Sequence, residues 1–206
     1  MIHWEPLVLI VSGPSGSGKS TLVQKILELP QTLASISCTT RPPRRTENKG
    51  KWYNFVTEEE FRQMVERGEF LEYAQVFGKH WYGTPRKWVD QARAQQADLV
   101  LEIDVQGALQ AKQNLPDAVA IFVLPPSSAD LEKRIRDRGQ DSEEEIHRRL
   151  SRAHDEMLSY RSYDFAVVND ELERASREVQ DIVIASRCRV ARNEQRICEI
   201  LKSFGG

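Results

Sequence analysis

The sequence predicts an α/β protein built on a parallel sheet with helices on both faces. Three observations carry this. Four short apolar runs have strand length. Helix-period segments separate them, and a Gly/Ser-rich turn follows the first run directly. A strand buried on both faces has no solvent side, so it reads as a continuous apolar run rather than an alternation. Strands alternating with helices favour parallel pairing, because a crossover needs the helix.

The elements follow in order. "LVLIVS" (Leu7–Ser12) is the first buried strand, and "STLVQKILEL" after the glycine turn has helical spacing. A first interruption, 37–84, is richer in aromatics and turns. It holds one clear helix, "TEEEFRQMVERG", where Thr57 and Glu60 make a capping box and Gly68 suits the C-terminal cap. "DLVLEIDV" (Asp98–Val105) and "AVAIFVL" (Ala118–Leu124) are further strands, with a helical pattern over Gln106–Gln113 between them. A second interruption, 127–160, is helical and rich in arginine; Ser127 or Ser128 can cap one helix, and Ser142 with Glu145 boxes the next. "DFAVVN" (Asp164–Asn169) is the fourth strand. From Glu171 the chain reads as one long helix, its basic stretch Arg187–Arg196 a solvated face.

Composition narrows the function. The 206 residues suit one domain, or one core with insertions. With 29 basic and 31 acidic residues the net charge is −2, which argues against a general nucleic-acid binder and makes any basic site local. Cys38, Cys188 and Cys198 form no C-x-x-C pair, so neither disulfide framework nor zinc site is indicated. His147 and His154 read as helix-surface residues. No apolar run reaches the roughly 18 residues of a membrane span, and the start lacks the basic region of a signal peptide. The expectation is a cytoplasmic protein with no membrane or nucleic-acid partner; oligomeric state, a homo-oligomer included, stays open.

Gly13-Pro14-Ser15-Gly16-Ser17-Gly18-Lys19-Ser20 fits G-x-x-x-x-G-K-[ST], with a buried strand before it and a helix after it. The plain alternative is a Gly/Ser turn with an exposed lysine, but motif and flanking elements agree. Glycines let successive N–H groups turn inward around phosphate oxygens, and the helix N-terminus adds its positive end. Lys19 can reach the β- and γ-phosphates, and the Ser20 hydroxyl is placed for Mg²⁺. The chain is expected to bind a nucleoside triphosphate.

Two arginine groups need another account. Arg134 and Arg138 are i,i+4 on the face of Leu131, and like charges at that spacing repel by about 0.2–0.5 kcal/mol unless an anion lies between them. On the next helix Ile146, Leu150, Ala153 and Met157 form an apolar stripe. Arg149 lies about 60° from its centre, whereas Arg148 and Arg152 point further away. In "RPPR" the prolines favour polyproline II, which puts Arg41 and Arg44 on one side about 9 Å apart. That stiffness lowers the ordering cost of a two-armed phosphate clamp. Solvated charge is the bland alternative for both groups.

Taken together, the motifs resemble guanylate kinase. "GPSGSGKST", "SISCTTRPPR", "YNF", "GEFLEYAQVFGKHWYGT", "LEIDVQGA", "LEKRIRDRG", "RRL" and "VVND" run in order over nearly the whole chain. The resemblance implies a P-loop NTPase core (1–36, 85–126 and 157–206), a small GMP-binding insertion at 37–84 and a helical lid at 127–156. It implies transfer of the ATP γ-phosphate to GMP, with Mg²⁺. Arg41, Arg44 and Tyr53, helped by Tyr82, would hold the GMP phosphate. Glu72 would accept from guanine N1–H and the exocyclic amine; adenine offers no donor at N1, so the carboxylate would face an acceptor. Ser37 and Thr84 could donate to guanine O6. Asp104 and Glu102, two apart on one strand and facing one way, would stand near GMP and metal. Arg134, Arg138 and Arg149 would act over the transferring group with Lys19 and Arg41, and Thr21 and Asn169 would join the loop residues around ATP. Lys51-Trp52 departs from the family pattern.

Two other functions would use the same fold. A non-enzymatic binding module of the same fold would not need the intact Gly18-Lys19-Ser20 and the full arginine set. A kinase of another phosphorylated small molecule would not need Glu72 and Thr84.

Overall fold

A computed structural model describes residues 5–43, 53–76, 78–137 and 142–204. Arg44, Arg138 and the pair Lys51-Trp52 lie outside the described residues. In chain order the elements are β1 (Val8–Ser12), α1 (Lys19–Leu27), β2 (Thr32–Ala34), β3 (Cys38–Thr39), β4 (Asn54–Phe55), α2 (Glu58–Glu66), β5 (Phe70–Val76) and β6 (His80–Pro85). There follow α3 (Lys87–Gln95), β7 (Asp98–Glu102), α4 (Val105–Asn114), β8 (Val119–Leu124), α5 (Ser128–Asp137) and α6 (Glu143–Met157). A 3-10 turn (Leu158–Ser162), β9 (Phe165–Val168), α7 (Leu172–Arg187) and α8 (Val190–Ser203) complete the chain.

The four runs read as buried strands join β2 in a five-stranded parallel sheet of order β2-β7-β1-β8-β9. Both faces are covered, as the unbroken apolar runs required. Leu9 and Val11 of β1, with Val119, Ile121 and Val123 of β8, pack on Leu22 and Ile26 of α1 and Val179 and Val183 of α7. Ile10, Leu99 and Leu101 face the other way, onto Ala92 of α3 and Ala108 and Ala111 of α4. Full burial of each Leu, Ile or Val stabilises by about 1.5–3 kcal/mol. The carboxyl ends of these strands, where ligands bind in doubly wound sheets, carry the glycine loop and Glu102.

A second sheet, β4-β3-β6-β5, lies within residues 38–85. The sequence does not announce it: its strands are short, two of them two residues long, and their alternation is broken by a register shift between Phe70 and Glu72. The helix beside it matches expectation. Thr57 and Glu60 make the reciprocal capping box, and Gly68 (φ 65°) closes a Schellman motif, with Gly68 N donating to Val65 O and Glu69 N to Met64 O. Ser127 rather than Ser128 caps α5, accepting from Asp130 N. Ser142 caps α6, but the Glu145 carboxylate turns to Arg148.

Two expectations are corrected. The tail is two helices, not one, broken at Cys188 and Arg189. Its basic stretch is not simply solvated. Arg187 Nε lies 2.7 Å and Arg192 Nη2 3.3 Å from the carboxylate of Asp98, a fully buried residue at the start of β7 that also accepts from Leu7 N. A buried carboxylate needs such partners, and they come from far along the chain.

Candidate active site

The glycine loop leaves β1 and turns into α1. Gly18 sits at φ 93°, a conformation rarely open to other residues, and a Cβ there would meet Asn169 Nδ2 at 2.1 Å. That close approach lets Asn169 Nδ2 donate to Ser17 O at 2.9 Å. Arg134 reaches across from α5, donating to Asn169 O at 2.7 Å and to Ser17 O at 3.4 Å. Arg134 therefore braces the back of the loop. Lys19 Nζ donates to Gly13 O (2.7 Å) and Pro14 O (3.0 Å), and the Ser20 hydroxyl to Glu102 Oε1 (2.5 Å). Thr21 stands exposed in the first turn of α1.

Opposite the loop stands the second sheet. Glu72, Ala74 and Val76 on β5 and Tyr82 on β6 share one face by the strand period of two. Glu72 is 4% exposed; Thr84 Oγ1 donates to its Oε1 at 2.6 Å, and the Ser37 hydroxyl lies 3.1 Å from Thr84 Oγ1. Burial pushes the Glu72 carboxyl up to about 7, against the Thr84 bond and with a smaller push from Asp104. Tyr53 and Tyr82 meet edge to face at 5.6 Å. Arg41 Nε donates to the Tyr82 hydroxyl (3.1 Å) and its guanidinium lies 5.6 Å from the Tyr53 ring, while Nη1 donates to Pro42 O.

One cavity of about 360 Å³ joins the two halves. Its walls include Lys19, Ser20, Glu102 and Asp104 on one side and Ser37, Tyr53, Glu72 and Tyr82 on the other. Asp104 reaches it by a different route from the one expected. Strand β7 ends at Glu102, and Asp104 is the N-cap of α4, accepting from Gly107 N at 2.8 Å. The chain leaves the sheet after Glu102 and enters α4 at Asp104, so the two carboxylates meet in the cavity at a strand-to-helix turn rather than as two residues of one strand face.

The end of α6 also differs from the angular reading. Arg152 and Glu156 line the cavity, paired at 2.9 Å, and burial raises the Glu156 carboxyl. Arg149 is largely covered, 3.7 Å from Glu145, and outside the lining. Angle favours Arg149, the nearer of the two to the apolar stripe, and does not decide which turn of the helix meets the loop. Distance along the axis does: only the C-terminal turns of α6 stand beside the loop. Among the described residues no group of three or more His, Cys, Asp or Glu is set to hold a metal ion.

The arrangement can take a polyphosphate at the loop and a ring rich in donors at Glu72, with a second anion grip beside Arg41. Comparison with known proteins shows the family. The guanylate kinase family profile matches residues 5–186. A guanylate kinase of Myxococcus xanthus is 50% identical over 185 residues, 89% of this chain and 88% of that protein. That of Escherichia coli K12 is 47% identical, with 91% of each chain covered. The crystal structure of guanylate kinase from Anaplasma phagocytophilum superposes with a TM-score of 0.77 at 32% identity, covering 93% of this chain and 91% of that one. Fold, site and sequence thus place the chain in the guanylate kinase family.

Proposed function

We propose that the chain transfers the γ-phosphate of ATP to GMP, giving ADP and GDP, with ATP on the glycine loop and GMP on the second sheet. One observation carries this reading: a single cavity is walled by Lys19 and Ser20 at one end and by Glu72 and Tyr82 at the other. Residues 37–84 then act as the GMP-binding insertion and 127–156 as the lid. Arg41, with Arg44, Tyr53 and Tyr82, holds the GMP phosphate; Glu72, Thr84 and Ser37 read guanine; Asp104 stands between the two.

Phosphoryl transfer asks for position and charge rather than covalent help. Lys19, now on the loop carbonyls, would move to the phosphates. Asn169 and Arg134 keep the loop rigid around ATP. Arg149 and Arg138, with Arg152, supply cations as the lid closes and water is excluded. No general base is needed, since the GMP phosphate is already ionised. The Ser20 hydroxyl and Glu102 carboxylate are hard oxygen donors side by side, and they suit a Mg²⁺ ion carried with the triphosphate. When bound, that ion would neutralise charge on the β- and γ-phosphates. Release of ADP from ATP with GMP, AMP, UMP or no acceptor tests the reading: turnover with GMP alone is expected, and equal rates with and without GMP would sink it.

A further inference from the structure

Helix α4 holds the free edge of β5. Among the described residues that strand pairs only with β6 and ends its sheet. On its open side, Asn114 Nδ2 donates to Leu71 O at 2.7 Å, and Tyr73 N donates to Gln110 Oε1 at 3.3 Å. These two bonds bracket Glu72. Leu71 also packs with Ala108 and Ala111 of α4. Gly107, Gln110 and Asn114 are spaced i, i+3, i+7, so they form one strip along the helix.

At the head of the strip stands Gly107. A Cβ there would lie 2.4 Å from Glu72 Oε2 and 3.1 Å from its Cδ. The helix backbone cannot easily retreat. Gly107 N is bound to the Asp104 cap at 2.8 Å, and Ala108 and Ala111 are buried below. The strand is held by the two bonds above. The carboxylate would have to move, and its other oxygen is bound to Thr84. Glycine is a poor helix former, so its presence inside the first turn serves the contact rather than the helix.

We propose that Gly107 is a positioning residue for purine selection. By leaving room for the Glu72 carboxylate against α4, with Gln110 and Asn114 anchoring the strand on either side, it sets where that carboxylate stands. The inference rests on the reading of Glu72 as the guanine-selecting group.

Initial rates with GMP and AMP, measured on the whole chain, test it. Gly107→Ala is expected to raise KM for GMP about tenfold and to cut the preference over AMP, with KM for ATP changed less than about twofold. Combining it with Glu72→Asp, whose carboxylate is one methylene shorter, should give a loss smaller than the product of the single losses. A folded Gly107→Ala protein with an unchanged KM for GMP overturns the proposal, as does an equal rise in KM for ATP. If Gly107→Ala does not fold, Gln110→Leu decides: KM for GMP should rise about threefold with ATP unaffected, and an unchanged value overturns it. Glu72→Gln separates the two levels. If it keeps the GMP preference, the reading of Glu72 fails; if it loses the preference while Gly107→Ala keeps it, only the positioning inference fails.

Discussion

Thr84 Oγ1 donates to Glu72 Oε1 at 2.6 Å, directly across the β5–β6 pair. This bond favours the ionised carboxylate, yet burial outweighs it and the group titrates at about 7. On the proposed reading guanine, with two donors, would bind the anion, which requires proton loss from Glu72. The first prediction is that kcat/KM for GMP falls about tenfold per pH unit below pH 7 and is flat above pH 8. The GMP phosphate itself titrates near pH 6, so Glu72→Gln is the reference: its profile should lack the Glu72 limb. Calorimetric titration of GMP at pH 7 in buffers of different ionisation enthalpy should show proton release. No release would remove Glu72 ionisation from recognition.

The same shift has a stability sign. The folded value of about 7 lies above the ordinary carboxyl value of 4.5, so the folded state holds the proton more tightly than the unfolded one. The unliganded protein is then favoured at low pH and loses stability as pH rises through 7, by roughly 3 kcal/mol in all. Glu72→Gln removes that loss. It should raise Tm by several degrees at pH 8 and change it little at pH 5. Equal shifts at both values would refute the burial argument.

Much of this molecule is legible in its sequence, and the exceptions have physical reasons. The parallel core could be read because both of its faces are buried, which leaves continuous apolar runs. The glycine loop could be read because phosphate binding constrains glycine spacing. The second sheet could not, because its strands are short and the register shift at Phe70–Glu72 breaks their alternation. Arg152 reads from the sequence as pointing further away than Arg149, yet it lines the cavity, because helical angle says nothing of which turn of α6 meets the loop. Arg187 and Arg192 looked solvated because their partner, Asp98, is some 90 residues away, the separation of Arg187 from Asp98 being 89.

That long-range cluster yields a prediction separable from catalysis. Asp98 is fully buried and sits at the opposite end of β7 from Glu102. Asp98→Ala would leave Arg187 and Arg192 beside an empty anion position. Loss of one partner from a buried ionic cluster destabilises by about 3–5 kcal/mol. Urea unfolding should show a loss of that order, with kcat and both KM values near those of the parent at a temperature where the variant is folded. An unchanged midpoint would mean that the two arginines hold nothing.

On α6, two arginines one turn apart face different surroundings. Arg152 lines the cavity with Lys19, whereas Arg148 is an exposed partner of Glu145. Deleting either removes one positive charge from the same helix, so any long-range effect is shared. Arg152→Ala is expected to lower kcat at least about tenfold, and Arg148→Ala by less than about twofold. Equal effects would place the role of Arg152 in net charge alone.

Arg134 poses the sharpest choice, between a cation over the reacting phosphate and a brace behind the loop. Its Nη2 donates to Asn169 O at 2.7 Å and its Nη1 to Ser17 O at 3.4 Å, and Asn169 Nδ2 itself donates to Ser17 O. A brace needs the forked guanidinium, because one ammonium cannot reproduce two donors in fixed directions. A remote cation needs only charge. Arg134→Lys and Arg134→Ala should therefore behave alike if bracing dominates, with KM for ATP up about tenfold and Tm lowered in both. If charge dominates, lysine should keep most of kcat while alanine loses it, and neither should move Tm by much. The two bonds from one guanidinium to Asn169 O and Ser17 O favour the first outcome. Retention of kcat, KM and Tm by Arg134→Lys would return Arg134 to the lid role that its sequence motif suggests.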